Sequence, residues 1–188
     1  MIALTFDDGP DPVWTPRLLD LLASIRARAT FFVIAPSATR RPDLIARMTE
    51  EGHAVGLHCG EHVRHPSRDI AWGRNDTSQA LARLRELGVS PSLWRTPWGE
   101  LAWWSGGVAR EQHLRLVHWT VDTHDWRGDN ACQMFETTRD RLDDGAIVLA
   151  HDGIGPGARR TDAEATLGFV ELAAAQARAD GHELGALA

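Results

Sequence analysis

Short apolar runs rich in β-branched and aromatic residues alternate with amphipathic segments along the whole chain, and this rhythm restricts the fold more than any other feature. Residues 2–6 read as a strand and 16–27 as a helix, with Thr15 as its N-cap and Pro16 in the first helical position. A strand over 30–34 and a helix over 42–51 follow, the helix closed by Gly52 where a left-handed cap is favoured. The pattern then gives a strand over 54–57, a helix over 77–87 ending at Gly88, and a short strand over 92–94. The remaining expectations are a helix over 105–112, a strand over 114–121, a helix over 130–142, a strand over 146–149 and a long Ala-rich helix over 161–179. Asp162 and Glu164 lie in the first turn of that last helix, where carboxylates suit the helix dipole.

Repeated strand–helix order implies an α/β fold with a mostly parallel sheet and helices outside it. Six or more such units favour a barrel over an open doubly wound sheet. At 188 residues, without a linker, repeat or low-complexity stretch, the chain reads as one domain over 1–188.

The titratable clusters fall directly after the expected strands: Asp7-Asp8, the 58–62 segment, the 95–99 segment, the 122–126 segment and His151. In a parallel β/α barrel the C-terminal strand ends open onto one face, so clusters far apart in sequence converge there. Two adjacent carboxylates at a strand end project differently, so one can bind a metal while its neighbour contacts substrate or water. Alone, Asp7-Asp8-Gly9-Pro10 also fits a solvated turn. His58 and His62, spaced i, i+4, make with one carboxylate a two-His, one-Asp set suited to zinc and other divalent metals. A pair of surface histidines is the plain alternative, and His65 competes for the ligand role.

Arg95-Thr96-Pro97-Trp98-Gly99 is by itself only a turn, yet it offers an Arg to orient a carboxylate and a frame that aims the Trp98 N–H at an oxyanion. An Asp bonded to a His, as the segments around Asp125 and His151 allow, keeps an imidazolium available as a general acid.

Composition excludes several classes. The net charge is −6 and all 20 basic residues are Arg, with no basic stripe, which argues against nucleic acid as a partner. No apolar run reaches the ~20 residues of a membrane span, and Met1 leads straight into a strand without a signal-peptide layout. The sequence as it stands therefore reads as cytoplasmic and not membrane-bound. Cys59 and Cys132 make neither a disulfide framework nor a Cys-x-x-Cys zinc site. Eight Trp and no Tyr are unusual, and Trp rings both line sugar sites and fill cores.

Taken together the five segments resemble the polysaccharide deacetylases with a NodB-type domain, carbohydrate esterase family 4. Thr5-Phe6-Asp7-Asp8-Gly9-Pro10 looks like the first family signature, and His58-Cys59-Gly60-Glu61-His62 is similar to His-(Ser/Thr)-x-x-His. Arg95 to Gly99 resembles Arg-x-Pro-x-Gly, Asp122 to Trp126 resembles Asp-x-x-Asp-Trp, and Leu149-Ala150-His151 resembles Leu-x-His.

The resemblance implies a distorted (β/α) barrel that removes N-acetyl groups from sugars such as chitin oligomers or peptidoglycan. Asp8, His58 and His62 would hold a divalent metal, usually Zn2+, with Co2+, Ni2+ or Mn2+ able to serve. Asp7 would be the general base, positioned by Arg95, and His151 the general acid, tuned by Asp125 and packed near Trp126 and Leu149. Trp98, with Pro97, would supply the oxyanion donor.

Two departures stand out. Cys59 replaces a Ser or Thr whose hydroxyl helps fix the loop, which puts loop rigidity or metal preference in question, although a small-residue replacement is the plainer account. Trp98 stands where Tyr or Phe is common, and its larger ring would reshape the acyl pocket. With no export signal visible, a soluble oligosaccharide or a small N-acylated or cyclic amide is an alternative substrate. A catalytically inactive sugar-binding or regulatory protein is the reading from another class. Oligomeric state leaves no trace in the sequence.

Overall fold

In the computed structural model, which describes residues 1–188, β1 (Ile2–Asp7) is buried along its whole length at the middle of one sheet. Its unbroken run of apolar residues and Thr5 suits a parallel strand covered on both faces. On one side of β1 come β2 (Thr30–Ile34), β3 (Ala54–Cys59), β4 (Leu93–Trp94) and β5 (Arg115–Leu116). On the other lie β7 (Ile147–His151) and then β6 (Val121–Asp122), while β8 (Leu184–Gly185) pairs the first residues of β1. Every pairing is parallel. The helices are α1 (Trp14–Ser24), α2 (Ala35–Arg40), α3 (Pro42–Glu50), α4 (Ile70–Glu86), α5 (Ser105–Glu111), α6 (Ala131–Thr138) and α7 (Glu164–Ala179). A core of Ile2, Leu4, Phe6, Phe31 and Val33 from the strands with Leu18, Leu22, Leu81 and Phe169 from the helices joins the two layers.

The barrel is incomplete. The expected strand over 114–121 is two short strands on opposite edges of the sheet, and residues 117–120 carry the chain from one edge to the other. The Val117 amide donates to Trp94 O and the Thr120 amide to Ile147 O, so this crossing tethers both edges without pairing β5 to β6. A continuous β-prone run concealed the break because hydropathy does not reveal which neighbour a strand has.

Three further expectations are corrected. Helix α1 begins at Trp14, so Thr15 lies inside it, and Asp11 Oδ1 accepts from the Val13 and Trp14 amides at 2.7 and 2.9 Å instead. Thr15 Oγ1 accepts from the Asp11 amide and donates to Asp152. Helix α4 starts seven residues before the expected position 77, capped by Asp69, whose side chain accepts from Trp72 N at 2.8 Å. Gly73 and the polar Arg74-Asn75-Asp76 stretch disguise its first two turns, and Gly73 is where the Trp104 ring packs against the helix. Helix α6 stops at Thr138 and gives way to a 3-10 turn over Arg139–Arg141. No helix is long and apolar enough to cross a membrane.

Candidate active site

The sequence clusters meet at the C-terminal ends of the strands, around a cleft of about 360 Å³ lined by Asp7, Asp8, His58, His62, Trp98 and His151 together with Trp119 and Trp126. Asp7 ends β1, His58 lies near the end of β3, Arg95 follows β4, Asp125 opens the turn after β6, and His151 ends β7. Asp8, Trp98 and His124 adopt left-handed backbone, at φ 74°, 55° and 55°. Such conformations cost non-glycine residues of order 1 kcal/mol or more and gather at functional sites.

Asp8 Oδ1 is 3.1 Å from His62 Nε2 and 3.4 Å from His58 Nε2. One ligand atom from each of the three residues falls within 4.8 Å of the others. The tautomer of His58 follows from its partner: Nδ1 is 2.7 Å from the Arg95 carbonyl, which only accepts, so Nδ1 carries the hydrogen. In the neutral ring Nε2 then points a lone pair at a carboxylate oxygen, an arrangement that calls for a cation between them. Asp8 Oδ1 and His62 Nδ1 are both buried without a hydrogen-bond partner. Burial opposes the charged His58 imidazole, yet Asp7 and Asp8 raise its pKa, so the surroundings favour positive charge at this point. For Asp8, burial acts upward but the proximity of the two histidines outweighs it, and its carboxyl lies well below the usual range. One carboxylate and two imidazoles fit a divalent metal with N/O preference and leave coordination positions free. His65 is not part of this set. It is buried in a box of Trp72, Trp94 and Trp104, and its pKa is pushed down to about 4 by that burial and by His58 and His62. Cys59 is buried beside His58, and its thiol is held protonated by burial and by surrounding carboxylates.

Asp7 is 3% exposed, and its Oδ1 accepts from Arg95 Nη1 at 2.9 Å. The fully buried guanidinium also donates to Thr5 Oγ1, Val117 O and His118 O, and stacks over the Phe32 ring at 4.2 Å. Across the cleft, His151 Nδ1 lies 2.7 Å from Asp125 Oδ1. Asp125 Oδ2 accepts from the His151 amide at 2.9 Å and Thr166 Oγ1 at 2.8 Å, with Arg160 Nη1 at 3.2 Å. Burial works against the imidazolium, but Asp125, with Asp8 and Asp7 beyond it, raises the His151 pKa to about 9.

The Trp98 ring packs edge-on against His62 at 4.3 Å, with the Arg64 guanidinium 4.5 Å from its centroid and Glu100 paired to Arg64. The Trp98 amide has no backbone acceptor. Pro97 is buried and supports that turn without lining the cleft, whereas Trp126 and Leu149 line it. Arg95 and Asp125 likewise act from behind the wall. Residues with no role legible in the sequence complete the picture: Thr5, Trp119, Asp152, Arg160 and Thr166. The Gly-rich stretch after His151 was the one available signal, since side chains at Gly153 and Gly155 would collide with Asp8.

Known proteins resemble this chain in sequence and in fold. The family model described as polysaccharide deacetylase matches residues 1–117. A chitooligosaccharide deacetylase of Bradyrhizobium sp. is 36% identical over 170 residues, covering 88% of this chain and 76% of the relative. A peptidoglycan-N-acetylglucosamine deacetylase of Bacillus cereus is 35% identical over 157 residues, covering 82% of this chain, and that match spans 56% of the relative's length. Among solved structures, a peptidoglycan N-acetylglucosamine deacetylase superposes with a TM-score of 0.91 at 29% identity, covering 99% of this chain and 85% of the other. A family 4 carbohydrate esterase from Streptomyces lividans, in complex with acetate, gives 0.88 at 27% identity, covering 98% and 91%. The chain belongs to the polysaccharide deacetylase family.

Proposed function

We propose that the chain is a metal-dependent deacetylase that hydrolyses an N-acetyl amide on an amino sugar or its oligomers, releasing acetate and a free amine. One observation carries this reading: a buried carboxylate and two imidazoles face one another with Asp8 Oδ1 unpartnered, between a clamped carboxylate and an Asp–His pair. Relatives whose names specify chitooligosaccharides or peptidoglycan N-acetylglucosamine support an N-acetylated amino sugar as substrate.

Asp8, His58 and His62 would hold the ion, for which zinc suits the donor set. When bound, it supplies Lewis acidity that polarises the amide carbonyl and lowers the pKa of the attacking water. Asp7 takes the proton from that water through Oδ2, the oxygen that Arg95 leaves free. Arg95, fixed by Thr5 and two carbonyls, keeps the base oriented. The Trp98 N–H is directed at the developing oxyanion, a donor typically worth ~3 kcal/mol of barrier. His151 passes a proton from Nε2 to the leaving nitrogen, its other ring nitrogen being tied to Asp125. The indoles of Trp98, Trp119 and Trp126 give the cleft apolar walls against which sugar rings stack.

The test is to load the protein with Zn2+, incubate it with N-acetylglucosamine oligomers and separately with small N-acetyl amides, and quantify acetate and amine. Acetate from the oligomers, lost on chelation and restored by metal, is expected. Release from small amides alone would move the substrate away from sugars, and tight sugar binding without acetate would make the chain a binding module.

A further inference from the structure

The two histidines facing Asp8 are held by different means. His58 is fixed through its own ring, by Nδ1 on the Arg95 carbonyl, and its backbone carbonyl accepts from Trp94 Nε1 at 3.1 Å. His62 Nδ1 has no partner at all. Beyond the Trp98 ring packed against it, what brings His62 to Asp8 is the course of the backbone through Cys59, Gly60 and Glu61. At that point two consecutive amides converge on one side chain. Gly60 N donates to Asp76 Oδ2 at 3.0 Å and Glu61 N to Asp76 Oδ1 at 2.8 Å, one amide to each carboxylate oxygen. Successive N–H groups turned to one side form a nest for an anion, and here the anion is built in. The approach is close enough that a Cβ on Gly60 would collide with Asp76 Oδ1 and push the carboxylate off the two amides. Cys59, which stands where the resembled signature carries a hydroxyl, offers only a buried thiol, a weak donor.

We infer that Asp76, reaching from α4, is a positioning residue for the metal-binding loop: its carboxylate clamps the Gly60 and Glu61 amides and so sets where His62 meets the ion. This rests on the metal site described above. Because His58 has an independent anchor, loss of Asp76 acts on His62, loosening one ligand of three.

Zn2+ affinity is to be measured by chelator competition, and the visible spectrum of the Co2+-loaded protein recorded, for the wild type, Asp76→Ala, Asp76→Asn and the exposed α4 control Gln79→Ala. Removing a group that orients a ligand typically weakens metal binding about 10–100-fold. That loss is expected for Asp76→Ala, with a smaller one for Asp76→Asn, which keeps one acceptor oxygen. The Co2+ band should change in both variants, while Gln79→Ala behaves as wild type. A helix–loop contact of purely structural consequence would lower the melting temperature of the metal-free protein but leave affinity and spectrum alone. A folded Asp76→Ala binding Zn2+ within about twofold of wild type, with an unchanged Co2+ spectrum, overturns the inference. Should Asp76→Ala not fold, an unaltered Asp76→Asn does the same. If the wild type itself binds no divalent ion, the metal-site reading falls first, and the two failures are thereby distinguishable.

Discussion

The two sides of the cleft solve the problem of buried polar groups in opposite ways. Both oxygens of Asp125 are satisfied: one meets the His151 ring, and the other meets the His151 amide, the Thr166 hydroxyl and Arg160. Around Asp8 the account stays open, with an unpartnered Oδ1 facing two imidazole nitrogens. A buried polar atom without a partner costs about 1–3 kcal/mol, a cost that an outside ligand at Asp8 would remove. The Asp125–His151 side is thus preorganised by the chain alone, and the Asp8 side is built as if for the ion proposed above.

The strongest way to break this comparison is to remove Asp7, the proposed base that lies between the sides. Asp7→Asn should reduce kcat by about 10³-fold, in the range expected for a general base. It should still bind metal, because the adjacent Asp8 supplies the carboxylate ligand. Loss of metal together with activity, measured by elemental analysis of the purified variant, would reverse the roles within the pair.

Next comes a contrast within the open side. His62→Ala should lose metal, and His65→Ala should keep it, since His65 faces three indoles and not the carboxylate. The reverse result in a binding titration would shift the ligand register by three residues.

On the closed side the informative change is Asp125→Asn. His151 must be protonated to act as an acid, so the rate falls as pH rises through its pKa. Burial lowers that pKa, and Asp125 is the largest influence raising it to about 9. Without the carboxylate the imidazolium is lost at lower pH. The basic limb of kcat/KM should move downward, with a loss of about 10²-fold at pH 8. An unmoved basic limb would mean that some other group titrates there.

How much of this was legible in the sequence follows from the same contrast. Asp7, Asp8, His58, His62, Arg95 and His151 were readable because each closes or follows a strand, and parallel strands deliver their ends to one face. The residues that complete the buried network were not. Arg160 and Thr166 reach Asp125 from a loop and the first turn of α7, a contact set by how that helix docks. Asp76 sits in a polar stretch after Gly73 that masks the start of α4, so neither the first two turns of the helix nor the inward carboxylate they carry stood out. The break between β5 and β6 was hidden for a related reason: hydropathy marks residues 114–121 as strand-like, but not that the chain changes edges there. Chemistry-bearing side chains repeat with the strands; the partners that hold them obey only tertiary packing.

Asp152 sharpens the comparison with the smallest expected effect. It follows His151, is 2% exposed and packs against Gly9, next to Asp8. Its Oδ2 accepts from Thr15 Oγ1 at 2.5 Å, and Oδ1 has no partner. Burial, with Asp8 and Asp7 adding to it against the Thr15 bond, raises its pKa to about 7 from 3.8. The folded protein therefore keeps this proton where the unfolded chain has released it. The resulting stability is fully present below pH 3.8 and is lost as pH rises through about 7. Asn cannot ionise and still offers an oxygen to Thr15. In metal-free protein, the fall in melting temperature from pH 5 to pH 8 should be smaller for Asp152→Asn than for wild type by about 5–10 °C, the shift that roughly 2–3 kcal/mol produces in a chain of this size. Parallel curves for the two proteins would show that Asp152 is already ionised at pH 5, and that the pocket behind Asp8 tolerates a third negative charge without an ion to balance it.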